Sequence, residues 1–275
     1  MTDPATSAAD RYLELLRGCL TRELFLDEEW WDADLRGWPG PGAPDEVQAS
    51  LRDLGWRMKR RGEPGARAEG RDWPPGAETM VGSARLDNVQ WACRTALADG
   101  VPGDFVETGV WRGGVTILMK AVLVAAGDTE RSVWVADSFE GLPVPDGDRY
   151  PADANLDWSH VEVLKVGVDA VKANFERYGL LDDRVRFLEG WFCDTLPAAP
   201  IEQLAVLRLD GDLYQSTMDA LEHLEPKVAR GGFVLVDDYG GWESCRAAVE
   251  DYRAERGITD EIHTVDWTGV WWRKR

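Results

Sequence analysis

From about residue 83 onward, short apolar runs alternate with longer stretches in which apolar residues recur at helical spacing. The runs at 104–110, 205–209 and 232–237 are rich in Val and Leu and are bounded by Gly or Pro, a pattern typical of buried parallel strands. Alternation of this kind predicts a doubly wound, mostly parallel α/β sheet. Further strands are predicted at 132–137 and 184–188, helices at 83–99, 114–126, 163–178, 216–227 and 243–256, and a final hairpin with an antiparallel edge strand at 261–265 and 270–273.

The N-terminal part of the chain does not follow this alternation. Residues 11–26 place Leu at helical spacing and predict a helix. Residues 30–76 are irregular and are broken by Pro and Gly, with room for one helix at 45–60. We therefore expect a Trp-rich, helical and irregular cap at 1–78, followed by a main α/β domain at 79–275.

The composition narrows the range of partners. The chain has 275 residues, is 44% hydrophobic and 29% charged, as in ordinary globular proteins, and has a net charge of −19. That sign opposes binding to nucleic acid or anionic membranes, and no apolar stretch approaches the length of a membrane span. The four cysteines are scattered without a C-x-x-C pair, and the N-terminus lacks the apolar core of a signal peptide. We expect a cytoplasmic protein with neither nucleic-acid nor membrane partners, and the Trp-rich cap is compatible with a homo-oligomer.

Three aspartates follow two of the predicted strands. Asp210 comes directly after the run at 204–209, and Asp237 and Asp238 follow the run at 233–236. Ligands of open α/β sheets sit at the carboxyl ends of the strands, so we expect these carboxylates to converge there. A cation would relieve their mutual repulsion, and oxygen ligands favour a hard divalent ion such as Mg²⁺. Taken singly, each aspartate could instead be a turn residue or a helix N-cap.

A glycine-containing loop follows the predicted strand at 104–110. It has neither the G-x-G-x-x-G spacing nor the Lys-Ser/Thr of a P-loop, which argues against NAD and ATP. Glu107 precedes the turn at Gly109, where a carboxylate suits an amino-acid ammonium group. Asp137 ends the next strand, a position from which an acid can accept ribose hydroxyls. In this order the two acids fit S-adenosylmethionine, although Asp137 could instead cap the turn before Ser138.

The sequence resembles the macrocin O-methyltransferase family, the metal-dependent sugar O-methyltransferases of antibiotic biosynthesis. The matching stretches extend from residue 79 to the C-terminus, about seven-tenths of the chain, and their combination is specific although each piece alone is not. They lie at 79–82, 85–88, 100–114, 133–141, 178–183, 187–197, 207–214 and 231–239.

The resemblance implies a class I, Rossmann-like methyltransferase fold for 79–275, which would be the S-adenosylmethionine-binding catalytic domain. It also implies Mg²⁺ as a cofactor and a glycosylated natural product as the acceptor. Asp210 would be a metal ligand and the general base, and Asp237 and Asp238 would complete the metal site. The residues implied for the cofactor site are Met80, Val81, Glu107, Thr108, Gly109, Val110, Trp111, Asp137, Ser138, Phe139, Gly141, Trp191, Phe192 and Asp210.

The acceptor side of the site is the least specified. An acidic loop at 143–158 follows the predicted ribose turn, and such loops are often active-site lids, so we expect a lid insertion near 143–166. Asp212 and Tyr214 are candidate acceptor contacts, whereas His160 could be a second base or an exposed capping residue. Three other classes stay open: a nicotinamide-dependent reductase, a metal-dependent phosphoester hydrolase, and a non-catalytic binding protein of a biosynthetic assembly.

Overall fold

A computed structural model describes residues 7–25, 31–32, 49–51, 53–55, 59–60 and 65–275 of the chain. The chain divides into two compact units, Met1–Ala84 and Arg85–Arg275. The domain boundary expected between residues 78 and 79 stays a prediction, and the helix predicted at 45–60 lies largely outside the described residues. Among the residues that are described, no helix combines the length and the apolar character needed to cross a membrane.

From residue 104 onward strands and helices alternate, as the hydrophobic pattern predicts. The strands are β1 (Trp31–Asp32), β2 (Lys59–Arg60), β3 (Asp104–Thr108), β4 (Val133–Asp137), β5 (Val185–Glu189), β6 (Leu204–Leu209), β7 (Val228–Val236), β8 (His263–Thr264) and β9 (Val270–Arg273). The helices are α1 (Ala8–Leu20), α2 (Ser83–Ala98), α3 (Gly114–Ala126), α4 (Val168–Arg177), α5 (Phe192–Thr195), α6 (Tyr214–Leu224) and α7 (Glu243–Arg256). The elements β1, β2 and α1 lie in the first unit.

Seven strands form one sheet in the order β5-β4-β3-β6-β7-β9-β8. Strands β3 to β7 pair in parallel, whereas β9 and β8 are antiparallel at one edge. This confirms the predicted doubly wound, mostly parallel sheet with an antiparallel C-terminal edge. The strand order reverses between β3 and β6, and ligands of such sheets bind in the crevice at the carboxyl ends of the strands next to this point.

The core lies on the sheet. Strand β6 is buried at every position, because helices cover parallel sheets on both faces. A cluster that includes Leu207, Val234, Leu221 and Val249 packs β6 and β7 against α6 and α7. This packing holds the carboxyl ends of both strands in a fixed position.

The strand register brings three residues to the same edge of the sheet. Thr108 lies opposite Leu209 in the pairing of β3 with β6. The amide of Asp210 donates to the carbonyl of Thr108 at 2.9 Å, and the amide of Asp237 donates to the carbonyl of Leu209 at 2.9 Å. Gly109, Asp210 and Asp237, each the first residue after its strand, therefore lie side by side.

Some element boundaries differ from the prediction for local reasons. The helix predicted at 163–178 begins only at Val168, because Gly167 is its extended N-cap with ψ of 151°. The first helix begins at residue 8 rather than 11, because Ser7 and Asp10 form a reciprocal capping box.

Within the first unit, Arg67 organises the segment that follows it. Its side chain is 2% exposed, and its guanidinium donates to the carbonyls of Asp72 at 2.7 Å, Met80 at 2.8 Å and Val81 at 2.6 Å. The backbone at Met80 and Val81 is thereby fixed by a buried cation. Their implied contact with the cofactor stays a prediction.

Candidate active site

Four aspartates, which we call the acid cluster, lie where β6 and β7 end. They are Asp210, Asp212, Asp237 and Asp238. One carboxylate oxygen from each of Asp210, Asp237 and Asp238 lies within 4.8 Å of the other two. Asp237 and Asp238 are each 7% exposed. The ends of two strands thus bring together the three acids that the sequence pattern places there, while their role as metal ligands stays a prediction.

Neighbouring residues of an extended strand point to opposite faces, yet Asp237 and Asp238 reach the same cluster. They can do so because the chain turns directly after them: the amides of Gly241 and Trp242 donate to the carbonyl of Asp238 at 3.0 and 2.9 Å. Asp212 has a φ of 57°, and its amide donates to Oδ2 of Asp238 at 3.1 Å. This bond ties the turn after β6 to the turn after β7.

A buried arginine, Arg208, links the acid cluster to Glu107, which precedes the turn after β3. This turn, at Gly109, is the one that the resemblance implies for the cofactor, and it is called the cofactor turn in that sense alone. Its Nη1 donates to Oε1 of Glu107 at 2.6 Å and to Oδ2 of Asp210 at 2.8 Å, and its Nη2 donates to Oδ1 of Asp237. The Arg208 side chain is 2% exposed. Sequence reasoning missed it; the available signal was a charged residue inside the otherwise apolar run that forms β6.

A second arginine, Arg85, contacts the cluster from helix α2. Its Nη1 donates to Oδ2 of Asp237, and its Nε donates to Oδ2 of Asp266 at 2.9 Å. Both carboxylate oxygens of Asp237 therefore accept from guanidinium groups, which orients this side chain firmly.

The acid cluster carries more negative charge than the two arginines balance. Burial and then the charge of Asp237 raise the pKa of Asp210 to about 6. Burial, followed by the charges of Asp210 and Asp237, raises the pKa of Asp212 to about 8. Burial and the neighbouring Asp212 raise the pKa of Asp238 well above its usual value. The shifts share two causes: burial disfavours the charged form of each carboxyl, and the neighbouring carboxylates repel one another.

The turn after β3 has the backbone shape that a close ligand approach requires. Gly109 has a φ of 83° and Trp111 a φ of 49°, both in the left-handed region. Glu107 is 1% exposed, with one oxygen bonded to Arg208 and the other accepting from the hydroxyl of Thr116. Burial raises the pKa of Glu107 to about 8. Because both of its oxygens are engaged within the chain, its contact with an ammonium group stays a prediction.

Asp137 connects the cofactor turn to the end of β4. Its Oδ2 accepts from the amides of Val110 at 2.7 Å and Trp111 at 3.3 Å, and its Oδ1 accepts from the amide of Phe139 at 2.8 Å. The bond to Phe139 is the turn cap that the sequence left open as the alternative. Burial raises the pKa of this carboxyl despite these amides. Its contact with a ribose stays a prediction.

Four other implied cofactor residues lie on neighbouring turns. The hydroxyl of Ser138 donates to the carbonyl of Gly141 at 2.7 Å and closes the turn after β4. Trp191 is the N-cap of α5, which begins at Phe192. The ring of Phe192 passes beside the turn after β6, where a Cβ added to Gly211 would lie 3.6 Å from it. Contacts of these side chains with a cofactor stay predictions.

The predicted lid segment is anchored by a buried acid. Asp153 has no exposed surface, and its carboxylate accepts from the amides of Tyr214 at 2.7 Å and Gln215 at 3.1 Å. These amides are at the N-terminus of α6, whose own N-cap, Leu213, supplies no side-chain oxygen. Asp153 thus caps a helix from a distant loop, a role that sequence spacing could not reveal.

Tyr214 and His160, two candidate residues on the acceptor side, have other surroundings than the acid cluster. The hydroxyl of Tyr214 donates to Oδ2 of Asp251 at 3.0 Å. His160 is exposed, in line with the capping or surface alternative. Neither side chain is held by a bond to the acid cluster, so an acceptor contact for Tyr214 stays a prediction.

A groove of about 510 Å³ lies toward the beginning of β7, lined by Trp91, Phe233 and Trp271 among others. Phe233 precedes Asp237 by four residues on this strand, which corresponds to roughly 13 Å of extended chain. The lining of this groove contains no member of the acid cluster. It is therefore separate from the candidate active site.

Relatives of known activity cover nearly the whole chain. The sequence model of the family described as macrocin-O-methyltransferase (TylF) matches residues 9–274. The 8-demethyl-8-(2,3-dimethoxy-alpha-L-rhamnosyl)-tetracenomycin-C 4'-O-methyltransferase of Streptomyces olivaceus is 53% identical over 269 residues, 97% of this chain and 93% of that protein. The mycinamicin III 3''-O-methyltransferase of Micromonospora griseorubida is 50% identical over 212 residues, 76% of this chain and 83% of that protein.

Solved structures show the same fold. The O-methyltransferase NovP matches with a TM-score of 0.84 and 43% identity, covering 97% of this chain and 99% of that chain. The calicheamicin methyltransferase CalS11 matches with a TM-score of 0.55 at 16% identity, covering 98% of this chain and 93% of that chain, and supports the fold alone. The predicted class I methyltransferase fold is confirmed.

Proposed function

Since the chain belongs to the macrocin-O-methyltransferase family and is an O-methyltransferase, we propose that it methylates a sugar hydroxyl of a glycosylated natural product in antibiotic biosynthesis. The proposed methyl donor is S-adenosylmethionine, and the proposed cofactor is Mg²⁺. A cytoplasmic location and assembly into a homo-oligomer stay predictions from the sequence.

One observation carries this proposal: the acid cluster and the cofactor turn are in direct contact. A Cβ added to Gly109 would overlap the carbonyl oxygen of Asp210. A donor held at the Gly109 turn would therefore lie beside the carboxylates that serve the acceptor. Closeness of donor and acceptor is what a bimolecular transfer requires of its enzyme.

The donor set of the acid cluster fits a hard divalent cation. It offers only carboxylate oxygens, with three of them within 4.8 Å of one another. The clustered acids together with Glu107 and Asp266 are six carboxyls, whereas only two guanidiniums, those of Arg85 and Arg208, lie among them. Four of the six bond to these guanidiniums: Glu107, Asp210, Asp237 and Asp266. A bound cation would offset the remaining repulsion, and Asp210, Asp237 and Asp238 are the residues that would hold it.

The chemistry divides between the bound groups and the chain. S-adenosylmethionine would supply an electrophilic methyl group, and the divalent ion would stabilise negative charge developing on the acceptor oxygen. Asp210, as proposed from the sequence, would orient the acceptor and accept its hydroxyl proton. Asp212 is a second candidate for the proton, because its backbone amide bonds to the carboxylate of Asp238 and its own carboxyl is not one of the three proposed ligands. Arg208 and Arg85 would hold Asp237 in place during this proton transfer.

A screen of glycosylated compounds with isotopically labelled S-adenosylmethionine tests the proposal. Chelator-treated protein should lose methyl transfer and should recover it with added Mg²⁺. Full activity without any divalent ion would contradict the metal assignment. Tight S-adenosylmethionine binding without turnover on any glycoside would favour the binding-protein alternative, and a thermal shift with nicotinamide dinucleotides alone would favour the reductase.

A further inference from the structure

Two tryptophans, Trp158 and Trp242, form an aromatic pair beside the acid cluster. Their ring centroids are 4.6 Å apart and the planes meet at 67°, an edge-to-face contact. Trp158 comes from the lid segment, and Trp242 is the N-cap of α7, shortly after the turn at Asp238. Trp242 is 36% exposed and Trp158 is partly exposed, so both rings keep surface available to a ligand.

The aromatic pair is bonded to the acid cluster. The amide of Trp242 donates to the carbonyl of Asp238 at 2.9 Å, and its side chain lies near the carboxylate of Asp212. One end of the pair therefore lies at the acids, and the other end is the lid segment. A ligand that binds the acids would also reach these rings.

The pair is not the sole contact that holds the lid segment in place. Asp153 bonds that segment to two amides at the N-terminus of α6, and the ring of Tyr150 lies 5.9 Å from that of Tyr214. Aromatic side chains that keep exposed surface beside convergent polar groups are typical of ligand contacts.

The chemistry of a sugar matches this arrangement. A pyranose presents hydroxyls along its edge and an apolar C–H surface on its face. Carboxylates suit the hydroxyl edge, whereas indole rings supply rigid apolar area for the C–H face. We propose that Trp158 and Trp242 bind the C–H face of the acceptor's sugar ring and set the affinity for the glycoside. This inference rests on the function proposed above.

Direct binding measurements on the full chain test this role. The probes are p-nitrophenyl α-L-rhamnoside, p-nitrophenyl β-D-glucoside and p-nitrophenol, with S-adenosylhomocysteine and Mg²⁺ present. Calorimetry gives the dissociation constants, and saturation-transfer NMR identifies which ligand protons touch the protein. We expect at least one glycoside to bind through its ring C–H protons, and p-nitrophenol to bind far more weakly.

The variants are Trp158→Leu, Trp158→Phe and Trp242→Leu, with Trp91→Leu as the matched control. Trp91 is 42% exposed and lines the separate groove, so its variant should bind the glycoside as the parent does. Each Leu variant should raise the glycoside dissociation constant about ten-fold, and Trp158→Phe should raise it less. S-adenosylhomocysteine affinity should stay within about two-fold of the parent value, which shows that the variants are folded.

Several results would overturn the inference. Glycoside affinities of the Leu variants within about two-fold of the parent value would do so. A parent protein that binds S-adenosylhomocysteine but none of the glycosides would do so as well, while leaving the methyltransferase proposal in place. Failure of the parent to bind S-adenosylhomocysteine would instead count against the proposed function itself. An Asp153→Asn variant separates anchoring of the lid segment from glycoside binding. It should lower the thermal midpoint, and it should reduce the glycoside affinity less than Trp158→Leu does.

Discussion

Replacing Arg208 with methionine removes the positive charge that Glu107, Asp210 and Asp237 share. The side chain is 2% exposed, so bulk water cannot take its place. Removing one partner of a buried ion pair costs about 3–5 kcal/mol, because the other charge stays buried without compensation. Methionine keeps an unbranched apolar stem, so the loss mainly reports the missing charge and its hydrogen bonds.

The loss should depend on pH in a defined direction. Burial raises the pKa of Glu107 to about 8 and that of Asp210 to about 6. At low pH Glu107 and Asp210 are protonated, and Arg208 then has less negative charge to balance. At high pH they must ionise, and the arginine is needed. We expect the full loss of about 3–5 kcal/mol near pH 8.5, and no more than about half of it near pH 5.5.

Urea unfolding of chelator-treated protein, followed by far-UV circular dichroism at both pH values, measures this loss. Arg208→Lys is the matched control: it keeps the charge but lacks the planar fork that reaches three carboxylates, so its loss should be intermediate. A loss below about 1 kcal/mol at high pH, or equal losses at both pH values, would show that the charge of Arg208 does not stabilise this site.

Four further predictions concern the same site. Without divalent ions the protein should lose stability as the pH rises from about 4 to about 8, because the raised pKa values of Asp210, Asp212 and Glu107 mean that the folded state holds protons which the unfolded state releases. Thermal unfolding in chelator should show this fall in stability, and saturating Mg²⁺ should reduce it. A stability that does not change with pH would contradict this prediction. Gly109→Ala should abolish S-adenosylhomocysteine binding measured by calorimetry, since the added Cβ would overlap the carbonyl oxygen of Asp210. Gly127→Ala, whose Cβ would meet open space, should lower the free energy of unfolding by only about 1 kcal/mol. Asp153→Ala should destabilise the fold by about 2 kcal/mol in urea unfolding, because two amides at the N-terminus of α6 lose their acceptor; no change would show that water replaces it. If Asp212 accepts the proton, Asp212→Asn should lower kcat about 100-fold and retain the Mn²⁺ affinity. Normal turnover would leave Asp210 as the proton acceptor.

The centre of the sheet could be predicted because its strands are buried on both faces. Buried parallel strands are continuous apolar runs; β6 is buried at all of its positions, and β7 is buried and apolar from Phe233 to Val236. Their ends follow from the first acidic residue, so Asp210 and Asp237 were found as strand-end carboxylates. Parallel register then brought them to one edge without any further information.

The contacts that balance and enclose the site could not be predicted in this way. Arg208 contacts Glu107, which is 101 residues away, and Asp153 of the predicted lid segment contacts Tyr214, which is 61 residues away. No periodicity in the chain encodes such pairs. A buried arginine within an apolar strand does indicate that buried acids must lie nearby, and this signal would have located the partner of Glu107.

The aspartates at the ends of β6 and β7 are proposed to hold one divalent ion beside the donor site. An electron paramagnetic resonance titration of Mn²⁺ into chelator-treated protein, for the parent chain and for Asp238→Asn, measures this binding. We expect one bound ion per parent chain, competed away by Mg²⁺, and at least about ten-fold weaker binding in the variant. Equal affinity in the two proteins, or no binding to the parent chain, would contradict it.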